Sequence, residues 1–329
     1  MIAGGNEHLP ANIGFIGLGA MGFWMAANLR QKLPPSTVLY INDVVQEAVT
    51  SFMVQFSHLG PVFPTKSAAD MVANCDVIIS IVPEGKHVAQ IFRTDPGGAL
   101  SIPWHVRGKL FIECSTIDIE TSKAVAEAVT GLGGTFVDAP VSGGPMGSQA
   151  GTLTFMMGVG EGHPRKSEMD NIIRLMGKNL FACGGPTLGL ATKVCNNYIS
   201  GTIAIATSEG FNLAMKLGLD PRTFHKVLNV STGGSWVNAH CNPVPGIDPK
   251  SPASNDYAGG FKVQFMRKDY NLAIEAAKMA DANLYLGPAG LDVYTGAAAD
   301  PTCVDRDSRV VYRYIGGNEE WAGRNASKM

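Results

Sequence analysis

The apolar positions change rhythm near the middle of the chain. From Asn12 onward, short apolar runs alternate with stretches in which apolar residues recur every third or fourth position. NIGFIG reads as a strand, AMGFWMAANLRQK as a helix, and TVLYIND as a second strand bounded upstream by Pro34 and Pro35. The series continues with a helix from about Val44 to Phe56, a helix opening at Ser67, the strand DVIISIV from Asp76 to Val82, and a helix after Pro83. The strand KLFIEC, a helix from Asp118 and the strand TFVDAPV follow, and LTFMMGV and NLFAC add two more strands. Such alternation implies a parallel sheet with right-handed crossovers. The first half therefore predicts a doubly wound α/β domain with a β-extension.

After Gly184, Gly185 and Pro186 the strand signal stops. Leu188 to Leu217 is apolar almost all the way round, which predicts a long buried helix. Gly218 ends it, and Asp220-Pro221 opens a new helix through His225 to Val230. Helical patterns recur from Phe261 to about Ala282, from Ala289 to Ala299 and from Val304 to Ile315, whereas Cys241 to Gly260 reads by composition as a loop or linker. A chain of 329 residues exceeds what one hydrophobic core usually supports. The expected division is an α/β domain over 1–186 and an all-α domain over 187–329, with the long helix linking them.

Composition narrows the classes of partner. Hydrophobic residues make up 45% and charged residues 16%, and the formal net charge is −2. That balance offers no electrostatic footprint for nucleic acid or an anionic membrane, so small molecules and other protein chains are the expected partners. The six cysteines lie far apart, with no CxxC pair and no histidines at metal-ligand spacing, which predicts reduced thiols and no metal site. No apolar run approaches the length of a membrane span. MIAGGNEHLP shows neither a signal-peptide core nor a transit segment, and Ser327-Lys328-Met329 resembles a peroxisomal address.

The turn after the first predicted strand carries Gly17, Gly19 and Gly22 in GLGAMG. The first glycine allows a tight turn, the second lets a pyrophosphate approach, and the third lets helix and strand pack. The helix amino terminus then turns its NH donors to the phosphates. Asp43, at the end of the second strand, stands where an acid binds ribose hydroxyls; capping the helix from Val44 is the alternative reading, and one residue could do both. Strand, glycine turn, helix and acid together predict a Rossmann-type dinucleotide site involving Gly17, Leu18, Gly19, Ala20, Met21, Gly22 and Asp43. The carboxylate repels a 2′-phosphate and no arginine follows within Val44 to Phe56, so NAD is favoured over NADP.

ATKVCNNYISG places an ammonium group in the apolar run, at Lys193. Lysine is almost never fully buried unless it is paired or working. On a helix Lys193 and Asn197 point the same way and Asn196 sits to one side. A desolvated lysine there is expected to titrate nearer neutrality and exchange a proton with an alcohol, while Asn197 fixes the hydroxyl. A snorkelling lysine with its head in solvent, or one paired with an acid elsewhere in the chain, is the alternative. DAPVSGGPMGS, at the carboxyl end of a strand, offers the Ser142 hydroxyl and the NH groups of Gly143 and Gly144 to a carboxylate. A plain turn is its alternative reading.

In order and spacing, GLGAMG, ECSTID, DAPVSGG, GTLTFM, KVCNN, LGLDP, NPVPG, DYAGGF and MRKD resemble the β-hydroxyacid dehydrogenase family over about Asn12 to Arg313. The resemblance implies oxidation of a small β-hydroxy acid, with Lys193 as general acid/base, Asn197 orienting the hydroxyl, and Ser142, Gly143 and Gly144 binding the carboxylate. It implies that Lys268 reaches the cofactor and substrate cleft, a residue otherwise read as half of a solvated Lys268/Asp269 surface pair. Val82, Pro83, Ser115 and Thr116 become the segments flanking the cofactor, and Trp236 with the NPVPG loop becomes a cap over the substrate. Thr187 and Leu188 stand where many relatives keep another glycine, and Arg93 to Gly108 is longer and richer in proline than usual. Relatives acting on a 6-phosphogluconate carry a histidine where Asn196 stands, and non-catalytic scaffolds of this architecture have lost the lysine. Reductases of tartronate, glyoxylate or succinic semialdehyde share the Lys193 and Asn197 logic. The apolar helices predict a homodimer or homotetramer.

Overall fold

A computed structural model describes residues 9–321. The carboxyl-terminal tripeptide and most of the amino-terminal decapeptide lie outside the described residues. The chain forms two compact units that divide between Lys193 and Val194, inside the long helix.

In the first unit the elements run β1 (Asn12–Ile16), α1 (Gly22–Lys32), β2 (Val38–Asn42), α2 (Gln46–Phe56), β3 (Val62–Pro64), α3 (Ala68–Asn74), β4 (Val77–Ser80) and α4 (Gly85–Ile91). They continue with α5 (Pro103–Val106), β5 (Leu110–Glu113), α6 (Ile119–Gly131), β6 (Thr135–Asp138), β7 (Val141–Ser142), α7 (Gly144–Ala150), β8 (Leu153–Met157), α8 (Lys166–Ile173) and β9 (Gly177–Ala182). Six strands form one all-parallel sheet in the order β3-β2-β1-β4-β5-β6. The order reverses at β1 and β4, so the crevice for a ligand opens at the carboxyl ends of those strands. Strands β1, β4 and β5 are almost wholly buried, as a sheet covered on both faces requires.

Several details differ from the reading of the sequence. TFVDAPV is two strands, because Pro140 has no NH for a ladder and the chain turns there from the parallel sheet into a second one. LTFMMGV and NLFAC join that three-stranded sheet, β7-β8-β9, and do not extend the first. Short β3, at the sheet edge, carries too few apolar residues to stand out in the sequence. The long connection from Arg93 to Gly108 folds into helical turns that bury Ala99, Leu100 and Val106 against α3 and β5.

The second unit takes the part of α9 (Leu188–Lys216) from Val194 on, with α10 (Pro221–Asn229), α11 (Trp236–His240), α12 (Val263–Met279), α13 (Gly287–Ala299) and α14 (Val311–Tyr314). Its core gathers Tyr257, Met266, Tyr270, Tyr294 and Val310. Helix α9 is not buried on every side: Leu190, Val194, Asn197, Gly201, Ala204, Ser208 and Phe211 form one buried stripe, and Ile199 and Leu213 stay exposed. Val304 to Asp307 is not helical, because Asp305 adopts a left-handed backbone and the Asp307 carboxylate accepts the Phe261 and Arg309 NH groups. Among the described residues no helix is long and apolar enough to cross a membrane.

Candidate active site

The glycine turn is best read through what a side chain would meet at each position. At Gly17 the backbone is left-handed, and an added Cβ would stand 2.1 Å from the Ile81 carbonyl oxygen. At Gly22 it would stand 1.9 Å from the Gly17 carbonyl oxygen, so both positions need glycine for packing. Gly19 differs, since a Cβ there meets nothing within 4 Å. The second glycine faces open space at the start of α1, which is the cradle a dinucleotide backbone needs. Ala20 beside it is exposed, whereas the Leu18 side chain is buried in the core and Met21 is half-buried.

Asp43 does not cap a helix. Helix α2 begins only at Gln46, with Val45 as its uncapped flank. The Asp43 carboxylate instead accepts the Leu18 NH at 2.5 Å and the Val45 NH at 2.8 Å, which pins it beside the glycine turn. Both fixed oxygens retain lone pairs for ribose hydroxyls.

At the ends of β4 and β5 three segments share one network. The Val82 NH donates to Ser115 Oγ at 2.7 Å, and the Ser115 hydroxyl and NH both donate to Glu113 Oε1. Glu113 is fully buried and its Oε2 has no hydrogen-bond partner. It thereby ties Val82 and Ser115 together at the carboxyl edge of the sheet, next to Pro83 and Thr116. In the sequence it is hidden, since a single acid ending an apolar strand reads as an ordinary strand end.

The Ser142 loop is held to the dinucleotide helix. Consecutive Gly143 and Gly144 have φ of 133° and 62°, conformations that side chains disfavour, and they leave their NH groups on a chain without bulk. Helix α7 then docks on α1, where Ser148 Oγ donates to the Met21 carbonyl at 2.6 Å and Asn28 Nδ2 donates to the Ser148 carbonyl at 2.9 Å.

Lys193 is 7% exposed, and Asn197, one turn further along the same helix, is 6% exposed. The snorkelling alternative therefore fails, while Asn196 is exposed as the spacing predicts. Within the second unit, Gly201 lets α12 approach closely, its position meeting Met266 and Tyr270. Asp269 is thereby brought within 2.5 Å of Asn197 Nδ2. Asp269 is buried, so Lys268 and Asp269 are not a solvated surface pair, and Lys268 Nζ lies 3.2 Å from Asp269 Oδ1. Asp269, like Glu113, is a residue whose part in the site sequence reasoning passed over. Its signal was present: it follows Val263 and Met266 on the buried stripe of α12. A carboxylate only accepts, so it fixes which end of the Asn197 amide faces it, and Asn196 Nδ2 donates to Asn197 Oδ1 from the other side at 3.1 Å. Trp236 is 62% exposed and stacks on His240, at the start of a short helix that composition alone did not reveal.

Burial pushes the Glu113 carboxyl up from 4.5 to about 7, opposed by its hydrogen bonds from Ser115. A carboxyl whose value is raised by folding stabilises the fold below its unfolded value, and that contribution is lost as pH rises through the folded value. Glu113→Gln is therefore expected to gain roughly 2 kcal/mol of stability relative to the parent chain between pH 5 and pH 8. Chemical denaturation of both proteins at the two pH values measures it, and parallel curves would mean that Glu113 ionises freely in the fold.

The first unit and its glycine turn have the architecture of a Rossmann-type dinucleotide-binding domain. A family model for the NAD binding domain of 6-phosphogluconate dehydrogenase matches residues 12–185. Another, for the NAD-binding domain of NADP-dependent 3-hydroxyisobutyrate dehydrogenase, matches residues 188–315. The chain is 39% identical to a 3-hydroxyisobutyrate dehydrogenase of Pseudomonas aeruginosa, over 86% of this chain and 91% of that one. It is 37% identical to an NAD-dependent L-serine dehydrogenase of the same organism, over 86% and 90%. The solved structure of a Mycobacterium tuberculosis 3-hydroxyisobutyrate dehydrogenase with L-serine superposes with a TM-score of 0.81 at 34% identity, covering 93% of this chain and 99% of that one. The chain belongs to the β-hydroxyacid dehydrogenase family.

Proposed function

We propose that the chain oxidises 3-hydroxyisobutyrate to methylmalonate semialdehyde with NAD, a step of valine breakdown. The observation that carries the reading is the buried Lys193 one helical turn before an Asn197 whose amide is locked by Asp269. A bound nicotinamide dinucleotide supplies a hydride acceptor. The chain's own residues do the rest. Ser142 and the NH groups of Gly143 and Gly144 hold the substrate carboxylate, and Lys193 Nζ takes the hydroxyl proton as the carbon is oxidised. Asn197 spends one amide N–H on Asp269 and keeps the other for the hydroxyl oxygen. Lys268 acts at both substrate and cofactor, Trp236 at the substrate, and Gly17 to Gly22, Asp43, Val82, Pro83, Ser115 and Thr116 hold the cofactor.

NAD is the cofactor of this reading because a 2′-phosphate would meet the fixed Asp43 carboxylate, and the next residue is Val44, 94% exposed, where a guanidinium would be needed. L-serine is the second substrate reading, favoured by the L-serine dehydrogenase among the relatives. NADH formation with 3-hydroxyisobutyrate, L-serine, 3-hydroxypropionate and glycerate tests both. The expected result is the highest kcat/KM for 3-hydroxyisobutyrate, and at least about a tenfold preference for NAD over NADP, equivalent to 1.4 kcal/mol. A higher kcat/KM for L-serine would move the assignment to that substrate.

A further inference from the structure

We infer that Asp138 is a positioning residue for the reacting lysine, holding the first turn of α9 in place against a strained backbone at Thr187. The inference rests on the reading of Lys193 as the proton acceptor. The first NH groups of a helix have no partner within it and are ordinarily met by a neighbouring side chain or by water. Here a carboxylate from another element meets them. Asp138, at the end of β6, accepts the Thr187 NH on Oδ1 and the Leu190 NH on Oδ2, each at 2.9 Å. It is 2% exposed and has no room to move, since a Cβ on Gly158 would stand 1.9 Å from Oδ1 and a Cβ on Gly189 2.9 Å from Oδ2.

Thr187 is what makes the clamp consequential. It has φ of 68°, and a β-branched residue in the left-handed region is strained. An asparagine at 138 has one acceptor for these two NH groups and turns its NH2 toward the other, so the turn loses a tie, Thr187 relaxes, and the turn from Leu188 to Ala191 unwinds with it. Lys193 follows directly on that turn. A shift of its start rotates and translates the ammonium group, and proton transfer is sensitive to displacements on the order of 1 Å. Glycine at position 187 has no such strain, so it would hold the same turn without the clamp.

The test compares the full chain with D138N, T187G, the D138N/T187G double variant and K193A, in oxidation of 3-hydroxyisobutyrate with NAD. D138N is expected to lose about tenfold to a hundredfold in kcat, with the KM for NAD changed less than about twofold. T187G alone should keep kcat within about twofold, and the double variant should recover at least about fivefold of the loss. A general loss of folding would not be restored by a glycine that adds no contact. D138N with parental kcat, or a double variant no better than D138N, overturns the inference while a collapsed K193A leaves the lysine reading standing. K193A with parental kcat overturns both. Should D138N not fold, hydrogen exchange on the parent chain decides: protected Thr187 and Leu190 amides are expected, and exchange as fast as in open loops overturns the clamp.

Discussion

Lys193→Ala is expected to lower kcat for oxidation of the β-hydroxy acid at least about a hundredfold, the lower range for loss of a positioned proton acceptor. The KM for NAD should stay within about twofold, because the groups assigned to the cofactor lie on other elements: the turn after β1, the end of β2 and the edges of β4 and β5. Lys193→Arg is expected to fare little better, since a guanidinium does not deprotonate at working pH and its planar fork does not occupy the space of an ammonium group. Steady-state kinetics on the three proteins decide the matter. A Lys193→Ala variant with parental kcat would mean that Lys193 is not the proton acceptor, whereas a parent chain that binds NAD and oxidises nothing would move the reading to a non-catalytic dinucleotide-binding scaffold.

The second large effect separates two glycines two residues apart. Gly17→Ala should lose several kcal/mol of stability, because the left-handed backbone costs an L-residue about 1–2 kcal/mol and the new Cβ would press on the Ile81 backbone at 2.1 Å. Gly19→Ala should leave thermal unfolding unchanged, since its Cβ meets no protein atom within 4 Å. It should nevertheless weaken dinucleotide binding about tenfold or more, by filling the space that the pyrophosphate needs. Thermal unfolding and a fluorescence titration with NADH read the two effects separately. Parental NADH affinity in Gly19→Ala would mean that the dinucleotide does not run over this turn.

Some of the site was legible because its cause is local. GLGAMG sits between a strand and a helix whose periods differ, and the positive φ of Gly17, Gly143 and Gly144 is the kind of backbone that glycine announces. Lys193 stood out because a charge interrupts an apolar run. Glu113 and Asp269 did not stand out in the same way. One ends a strand that would look the same with its carboxylate in water, and the other adjoins a lysine, so that the pair mimics a surface contact. Their burial depends on which elements cover them.

By itself, then, the sequence determined the alternation of strand and helix, the helical second half, the dinucleotide turn and the lysine with its asparagine one turn on. These follow from hydrophobic period and backbone sterics, which act between residues a few positions apart. Only the tertiary structure decided that TFVDAPV divides between two sheets, that Asp138 reaches forward to the start of α9, and that Gly201 admits Asp269 to Asn197. A buried carboxylate costs free energy unless donors meet it, and those donors come from segments distant in the chain. Their meeting is fixed by packing, which no local pattern records.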